Sequence, residues 1–220
     1  MLEAFNKFLF EKCGLRGGER VLLAVSGGVD SMAMAHLFRM AGIAHGIAHC
    51  NFQLRGEASD KDEELVREYA GMHHISLHCV AFPTQSIAEQ EKESVQVIAR
   101  RLRYEWLEKI RREEGYDLIA TAHHMDDTAE TVLYNLSKGC GIRGLHGIAE
   151  RRGHIIRPML FSTKAEIEQP AASQGIAWRD DASNTETYYA RNKIRLLAIP
   201  ALREINPQWE RAMVANAQRF

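Results

Sequence analysis

Residues 26–31 have the composition of a loop that binds a phosphate group, and we call them the phosphate loop. They read Ser26, Gly27, Gly28, Val29, Asp30 and Ser31, between an apolar run and a predicted helix. The N–H groups and dipole of a helix start favour an anion, and glycine allows close approach. The Walker A lysine is absent, and an aspartate suits a phosphate that arrives with Mg²⁺. An ordinary strand-to-helix turn is the alternative.

A group of acidic residues lies near a second predicted helix start. Asp126, Asp127 and Glu130 occupy positions i, i+1 and i+4, so Asp127 and Glu130 share one face of the helix. Such carboxylates can hold a metal ion or an ammonium group at the sheet edge where doubly wound folds bind ligands. The alternative is capping, with Asp126 as the N-cap of the helix.

Two pairs of arginines are candidates for binding anions. Arg100 and Arg103 lie three residues apart on a long predicted helix, and Arg191 and Arg195 lie four apart on a later one. Each spacing allows both side chains to reach one anion. We select Arg103 from the first pair, because the other charges of its helix indicate a solvated face. Arg191 and Arg195 are candidates for phosphate or RNA contacts.

Alternating strands and helices are predicted to position these groups. Apolar runs predict strands at 21–25, 43–50, 75–80 and 116–122, and helical spacing predicts helices at about 1–12, 30–40, 59–72, 94–114 and 127–138. This order is typical of a doubly wound α/β fold, with a mostly parallel sheet and helices on both faces. The apolar run 21–25 predicts a central strand that is buried on both sides.

The alternation ends near residue 147, and a short, mainly helical C-terminal extension is predicted beyond it. A helix from Thr163 is expected to be interrupted at Pro170. Trp209, Met213 and Phe220 fall on one helical stripe that has no evident partner, so we expect this stripe to dock further domains. The expected parts are a catalytic domain at 1–148, a segment at 149–204 that completes it, and a linker helix at 205–220 toward C-terminal domains.

The composition is that of a globular protein and excludes several classes. The 220 residues are 45% hydrophobic and 26% charged, with a formal net charge of −1, so collagen, a disordered chain and a globally basic protein are excluded. No apolar run reaches the ~18 residues of a membrane helix. The four cysteines form no CxxC pair, which argues against a structural zinc site. The cytoplasm is the expected compartment, without a membrane partner.

The phosphate loop, placed after an apolar strand, resembles the signature of the PP-loop ATP pyrophosphatases. These enzymes split ATP into AMP and pyrophosphate to adenylate a substrate. Residues 49–57, 122–131, 143–148, 178–184 and 189–195 are similar to one family within that group, the tRNA(Ile)-lysidine synthetases. The likeness covers about residues 20–207.

The resemblance implies a ligase that forms a carbon–nitrogen bond with ATP and Mg²⁺, on a fold like that of the adenine nucleotide alpha hydrolases. Its substrates would be free L-lysine and an isoleucine tRNA with a CAU anticodon. The C2 oxygen of the wobble cytidine would be adenylated, and lysine would displace AMP to give lysidine, with pyrophosphate as the other product. A homodimer is kept open as the assembly.

The resemblance also implies roles for individual residues. Asp30, Arg103 and Asp127 would be catalytic, Asp127 and Glu130 would receive the substrate lysine, Asp30 and Asp126 would bind metal, and Arg191 and Arg195 would contact tRNA. Two alternatives remain. A tRNA thiolase of the same group would need sulfur-carrying or cluster-binding cysteines, whereas a non-catalytic nucleotide-binding module would not need the acidic residues.

Overall fold

The computed structural model describes residues 1–180, 190–217 and 219 and contains one sheet in that part of the chain. The strands are β1 (Val21–Ala24), β2 (His45–Asn51), β3 (Leu77–Ala81), β4 (Leu118–Thr121), β5 (Arg151–Arg152) and β6 (Ile155–Ile156). Their order is β3-β2-β1-β4-β6-β5, and all neighbours are parallel except β5, which is antiparallel to β6. The predicted mostly parallel sheet is confirmed.

Helices connect and cover the strands. They are α1 (Leu2–Glu11), α2 (Val29–Met40), α3 (Glu57–Met72), α4 (Thr84–Glu91), α5 (Val95–Glu113), α6 (Met125–Ser137), α7 (Lys164–Ser173), α8 (Ala190–Lys193), α9 (Ile199–Ile205) and α10 (Trp209–Ala217). A 3₁₀ helix spans Ile142–Leu145, and a π-helical stretch spans Ile194–Ala198. Among the described residues, no helix has both the length and the apolar composition needed to cross a membrane.

The sheet has a hydrophobic core on each face. Val21 and Leu23 of β1 face one core, which α1, α2, α3 and α7 complete. Leu22, between them in sequence, faces the other core with Leu107 of α5. Successive strand residues point to opposite faces, so the continuous apolar run of β1 supplies both cores. The doubly wound arrangement places the carboxyl ends of β1 and β4 side by side, because these two strands pair directly.

The late part of the chain departs from the sequence prediction in two ways. Residues 151–156 supply two short strands that extend the sheet beyond β4, in addition to the predicted helical extension. Helix α7 is capped by Thr163 and continues three residues past Pro170 instead of being interrupted there. Burial of Ile167 and Ala171 in the core stabilises the helix despite the proline.

The apolar stripe of α10 has a partner within the chain. Trp209 packs against Ala129 of α6 and Ile199 of α9, and Met213 packs against the same group. The expectation of an unpartnered stripe is therefore wrong for Trp209 and Met213, because apolar residues of α6 and α9 cover them. Phe220 lies outside the described residues.

Candidate active site

The phosphate loop lies between the carboxyl end of β1 and the first turn of α2, as predicted. Ser31 holds it together: its Oγ accepts the Ser26 N–H at 3.1 Å and donates to the Gly28 carbonyl at 2.9 Å. Gly27 has a φ of +93°, which glycine adopts without strain. The loop is thus ordered by its own side chains and leaves the start of α2 facing the sheet edge.

A cavity of about 270 Å³ opens above the loop, and we call it the phosphate-loop cavity. Its lining includes Ser26, Gly28, Asp30 and Ser31 of the loop, together with Asp127 from α6. Backbone N–H groups at a helix start, together with the carboxylates of Asp30 and Asp127, form a site suited to a phosphate group with its metal ion.

Arg103 lines the phosphate-loop cavity from α5, although α5 is far from the loop in sequence. Its guanidinium lies 5.2 Å from the centre of the Phe52 ring, a cation–π distance. Arg100, the other member of the predicted pair, instead lies over the Tyr104 ring of its own helix, at 4.9 Å. The structure therefore separates the two arginines and brings only Arg103 to this cavity.

His123, between β4 and α6, was not selected from the sequence as a site residue, but it also lines the phosphate-loop cavity. Its Nδ1 lies 2.9 Å from the Thr121 hydroxyl. Burial and the nearby arginine charges lower its pKa to about 4, although Asp127 opposes the shift. His123 is therefore neutral at physiological pH and presents a hydrogen-bonding group without charge.

A second, larger cavity of about 890 Å³ adjoins the first, and we call it the acid cavity. Asp30 and Asp127 line both cavities. The remaining acid-cavity lining includes His124, Asp126, Glu130, Lys164, Arg195 and Arg203. The acidic residues predicted as a site thus lie together, next to the phosphate loop.

Asp127 and Glu130 share one face of α6 and contact the same cation. The Arg195 guanidinium donates to both Glu130 carboxylate oxygens, at 2.5 and 2.9 Å, and lies 3.8 Å from Asp127 Oδ1. Burial raises the pKa of Glu130, although the hydrogen bonds from Arg195 oppose that shift. These two carboxylates therefore bind the planar guanidinium of an arginine of the same chain.

Asp126 does not cap α6. The His124 N–H donates to Asp127 Oδ2 at 2.9 Å, so Asp127 provides the capping bond. Asp126 instead accepts from Arg203 at 2.7 Å and from the Lys164 N–H at 2.8 Å. Burial alone would raise the pKa of Asp126, but His124, the Lys164 N–H and Arg203 outweigh it and hold the pKa below its usual value.

His124 lies among three carboxylates. Its ring nitrogens are 3.4 Å from Asp126, 3.6 Å from Asp127 and 3.9 Å from Asp30. Burial alone would lower its pKa, but the three negative charges outweigh burial and raise it. His124 therefore adds positive charge to the acid cavity as the pH falls.

Three cationic residues from the later part of the chain pair with carboxylates, and the sequence analysis did not select them. Lys164 Nζ donates to Asp30 Oδ2 at 2.8 Å. Arg203 joins Asp126 to the buried Glu210 of α10, at 2.7 and 2.5 Å. Arg211 pairs with Glu166 at the start of α7. Of the predicted tRNA residues, Arg195 faces Glu130, whereas the Arg191 side chain lies outside the described residues.

The carboxylates differ in their fitness for Mg²⁺. Asp30 Oδ1 is buried without a hydrogen-bond partner, so it has a free ligand atom, whereas both oxygens of Asp126 are engaged. Within the described ranges, no group of three His, Cys, Asp or Glu side chains is placed to hold a metal ion. Asp30 therefore fits an ion that arrives with a nucleotide and takes most of its ligands from phosphate and water.

The fold and the site together define a class: a doubly wound α/β domain whose phosphate loop at the first strand lacks the Walker lysine and faces a group of carboxylates. The chain belongs to the PP-loop domain family, whose profile matches residues 2–202. The resemblance noted in the sequence is thereby confirmed.

Several curated relatives carry the same name. The chain is 49% identical to the tRNA(Ile)-lysidine synthase of Chlorobaculum tepidum over 191 residues, which cover 85% of this chain and 58% of the relative. It is 43% identical to the tRNA(Ile)-lysidine synthase of Bacteroides thetaiotaomicron, covering 92% of this chain and 47% of the relative. The chain thus spans about half the length of the curated relatives it matches.

Solved structures confirm the fold. The U34-tRNA thiolase NcsA from Methanococcus maripaludis, described with its [4Fe-4S] cluster, matches with a TM-score of 0.79 at 18% identity, covering 99% of this chain and 77% of that one. The NH3-dependent NAD synthetase from Campylobacter jejuni matches with a TM-score of 0.59 at 17% identity, covering 99% and 90%. At these identities the likeness concerns the fold alone.

Proposed function

We propose that this chain is the part of a tRNA(Ile)-lysidine synthase that carries out the chemistry. It uses ATP to activate C2 of the wobble cytidine in an isoleucine tRNA with a CAU anticodon, and it joins the ε-amine of L-lysine to that carbon. The names of the curated relatives support this assignment. The geometry of the two adjoining cavities supports the assignment of ATP to the phosphate-loop cavity and of lysine to the acid cavity.

The observation that carries the proposal is the cation bound beside the phosphate loop. Asp127 and Glu130 hold the Arg195 guanidinium in a cavity that shares Asp30 and Asp127 with the phosphate-loop cavity. A site that binds a guanidinium through two carboxylates also suits a lysine ammonium group. An amine bound there lies next to the position where ATP would activate its partner.

In the first step, the C2 oxygen of the cytidine attacks the α-phosphorus of ATP. An oxygen–phosphorus bond forms, the bond between the α- and β-phosphates breaks, and pyrophosphate leaves with the electron pair. Loop N–H groups and the Arg103 guanidinium stabilise the charge that develops on the phosphates. Bound Mg²⁺, held by Asp30 and the nucleotide, would neutralise charge on the leaving pyrophosphate.

In the second step, the lysine amine forms a bond to C2, the bond between C2 and the adenylated oxygen breaks, and AMP leaves with that oxygen. The ε-ammonium group has a pKa near 10.4 in water, so it must lose a proton before it attacks. Asp127 and Glu130 position the ammonium, and Asp127 accepts the proton; its presence in the lining of both cavities supports this role. Arg195 must leave Glu130 when lysine binds there, because both cations use the same oxygens.

The experiment mixes the protein with ATP, labelled lysine and an isoleucine tRNA transcript with a CAU anticodon at low salt. We expect lysine in the RNA and one pyrophosphate per lysine. A transcript with uridine at the wobble position is the matched control and should take up none. In a parallel mixture with a sulfide donor in place of lysine, release of pyrophosphate and sulfur uptake by the RNA would support a thiolase. ATP binding without either reaction would support a non-catalytic module.

The cysteine that lines the phosphate-loop cavity does not favour the thiolase alternative. Cys50 lines the phosphate-loop cavity, but burial raises its pKa to about 12, so its thiol is protonated at neutral pH. A cysteine attacks as the thiolate in sulfur transfer, so Cys50 in its protonated form is a poor nucleophile for that reaction.

A further inference from the structure

Gly27 of the phosphate loop is linked to two residues that are far from it in the sequence, Asp62 and Arg179. Arg179 donates its backbone N–H to the Gly27 carbonyl at 3.0 Å, and its side-chain Nε donates to Asp62 Oδ1 at 2.8 Å. Asp62 lies on α3, and Arg179 lies after α7. The loop is therefore connected to α3 and to the segment that follows α7.

Asp62 is a buried carboxylate with both oxygens engaged. It is 8% exposed, and its Oδ2 accepts from Arg55 at 2.6 Å while Oδ1 accepts from Arg179. Burying a carboxylate costs free energy unless charged donors satisfy it, and two arginines do so here. The mechanism proposed above gives this charge no role in binding ATP, lysine or tRNA.

The contact between α3 and the loop requires glycine at position 27. A Cβ added to Gly27 would lie 3.3 Å from the Asp62 carbonyl oxygen and 3.4 Å from its Cβ, so the helix approaches the loop backbone directly. The positive φ of Gly27 adds a second reason for glycine. Asp62 thus supports the loop by contact and also holds the arginine that bonds to it.

The bond to the Gly27 carbonyl determines where the next N–H points. In a trans peptide the C=O and the following N–H point in opposite directions. With the Gly27 carbonyl directed at Arg179, the Gly28 N–H is directed away from Arg179, and Gly28 lines the phosphate-loop cavity. Rotation of this one peptide would turn a carbonyl oxygen, instead of an N–H donor, toward a bound phosphate.

We propose that Asp62 is a positioning residue for the phosphate loop. It holds Arg179 so that the Arg179 N–H keeps the Gly27–Gly28 peptide in the orientation that offers the Gly28 N–H to a phosphate. Asp62 itself does not contact the nucleotide. This inference rests on the proposed function to the extent that the ligand of the loop is ATP.

The test is a double-mutant cycle on ATP affinity with Asp62→Asn, Arg179→Ala and the double variant, measured by calorimetry with Mg²⁺. We expect about a tenfold loss of affinity in each single variant and no further loss in the double variant, because both substitutions break the same connection from α3 through residue 179 to Gly27. Asp60→Asn makes the same chemical change two residues away on the exposed face of α3 and should bind ATP like the wild type. In lysine incorporation, Asp62→Asn should raise the KM for ATP and leave the KM for lysine unchanged.

Hydrogen exchange separates this inference from the proposed function. The peptide covering residues 25–32 contains the Ser31 and Met32 N–H groups, which donate to the Gly28 carbonyl, and Asp62→Asn should accelerate their exchange without ATP. If the wild type fails to bind ATP, the proposed function fails, and exchange alone decides the role of Asp62. Loop exchange like that of Asp60→Asn, or additive losses in the cycle, would overturn the inference.

Discussion

The phosphate-loop cavity and the acid cavity lie side by side but are built in different ways. In the first, most hydrogen bonds of the phosphate loop join neighbours in sequence, since Ser31 bonds to Ser26 and Gly28, and one distant hydrogen bond comes from Arg179 to Gly27. The acid cavity is organised by distant cations, since Lys164, Arg195 and Arg203 each pair with a carboxylate at least 65 residues away. The phosphate loop is formed largely by adjacent residues, whereas the carboxylates of the acid cavity are paired with cations that come from distant parts of the same chain.

Substitution of Asp30 should reduce lysine incorporation more than any other change considered, because Asp30 lines both cavities. We expect Asp30→Asn to fold normally and to lose more than ~100-fold in the rate of lysine incorporation, as when a group that acts on transition-state charge is removed. Rates at saturating ATP and lysine, with thermal unfolding as the folding check, measure this. Asp60→Asn is the control, and a wild-type rate for Asp30→Asn would contradict the assignment.

Glu130 should affect the acid cavity alone. Adenylation does not require lysine, so Glu130→Gln should still release pyrophosphate when tRNA is present, while the KM for lysine rises about 10- to 100-fold. Parallel assays of pyrophosphate and labelled lysine measure the two steps. Glu204→Gln, an exposed change outside both cavities, is the control. An unchanged KM for lysine would remove Glu130 from the amine site.

Arg203 tests whether the distant cations stabilise the acid cavity. Arg203→Gln leaves Asp126 and Glu210, 5% and 3% exposed, without their shared cation. We expect the free energy of unfolding to fall by about 1–2 kcal/mol, less than for a fully buried pair, because about half of the Arg203 side chain is exposed. Urea unfolding measures this change. Arg211→Gln, which breaks an exposed pair with Glu166, should lower the free energy of unfolding by less. Equal decreases in the two variants would contradict the account.

The smallest expected effect is a pH dependence that arises from His124. Its folded-state pKa is raised, so the protonated form stabilises the fold. That stabilisation is complete below the ordinary pKa of 6.5 and is lost as the pH rises through the folded-state value. The difference in unfolding free energy between wild type and His124→Gln should therefore shrink as the pH rises above the ordinary value of 6.5 and through the raised folded-state pKa. A difference that is constant with pH would contradict this. His146→Gln, an exposed change, is the control.

The sequence predicted what depends on local spacing. The phosphate loop and the shared face of Asp127 and Glu130 follow from neighbouring positions, and the parallel sheet follows from alternating strands and helices. The cations that pair with the carboxylates could not be predicted from spacing, because Lys164 and Arg195 reach them only through the tertiary fold. The eight-residue α4 and the two-residue strands β5 and β6 are too short to show a periodic pattern.

The central claim is that the two cavities bind different substrates of one reaction. Lysine incorporation measured over a grid of ATP and lysine concentrations, with Ser31→Ala and Glu130→Gln side by side, tests it most directly. The account predicts that Ser31→Ala, which removes the hydroxyl that orders the phosphate loop, raises only the KM for ATP, and that Glu130→Gln raises only the KM for lysine. An increase of the same KM in both variants would contradict it.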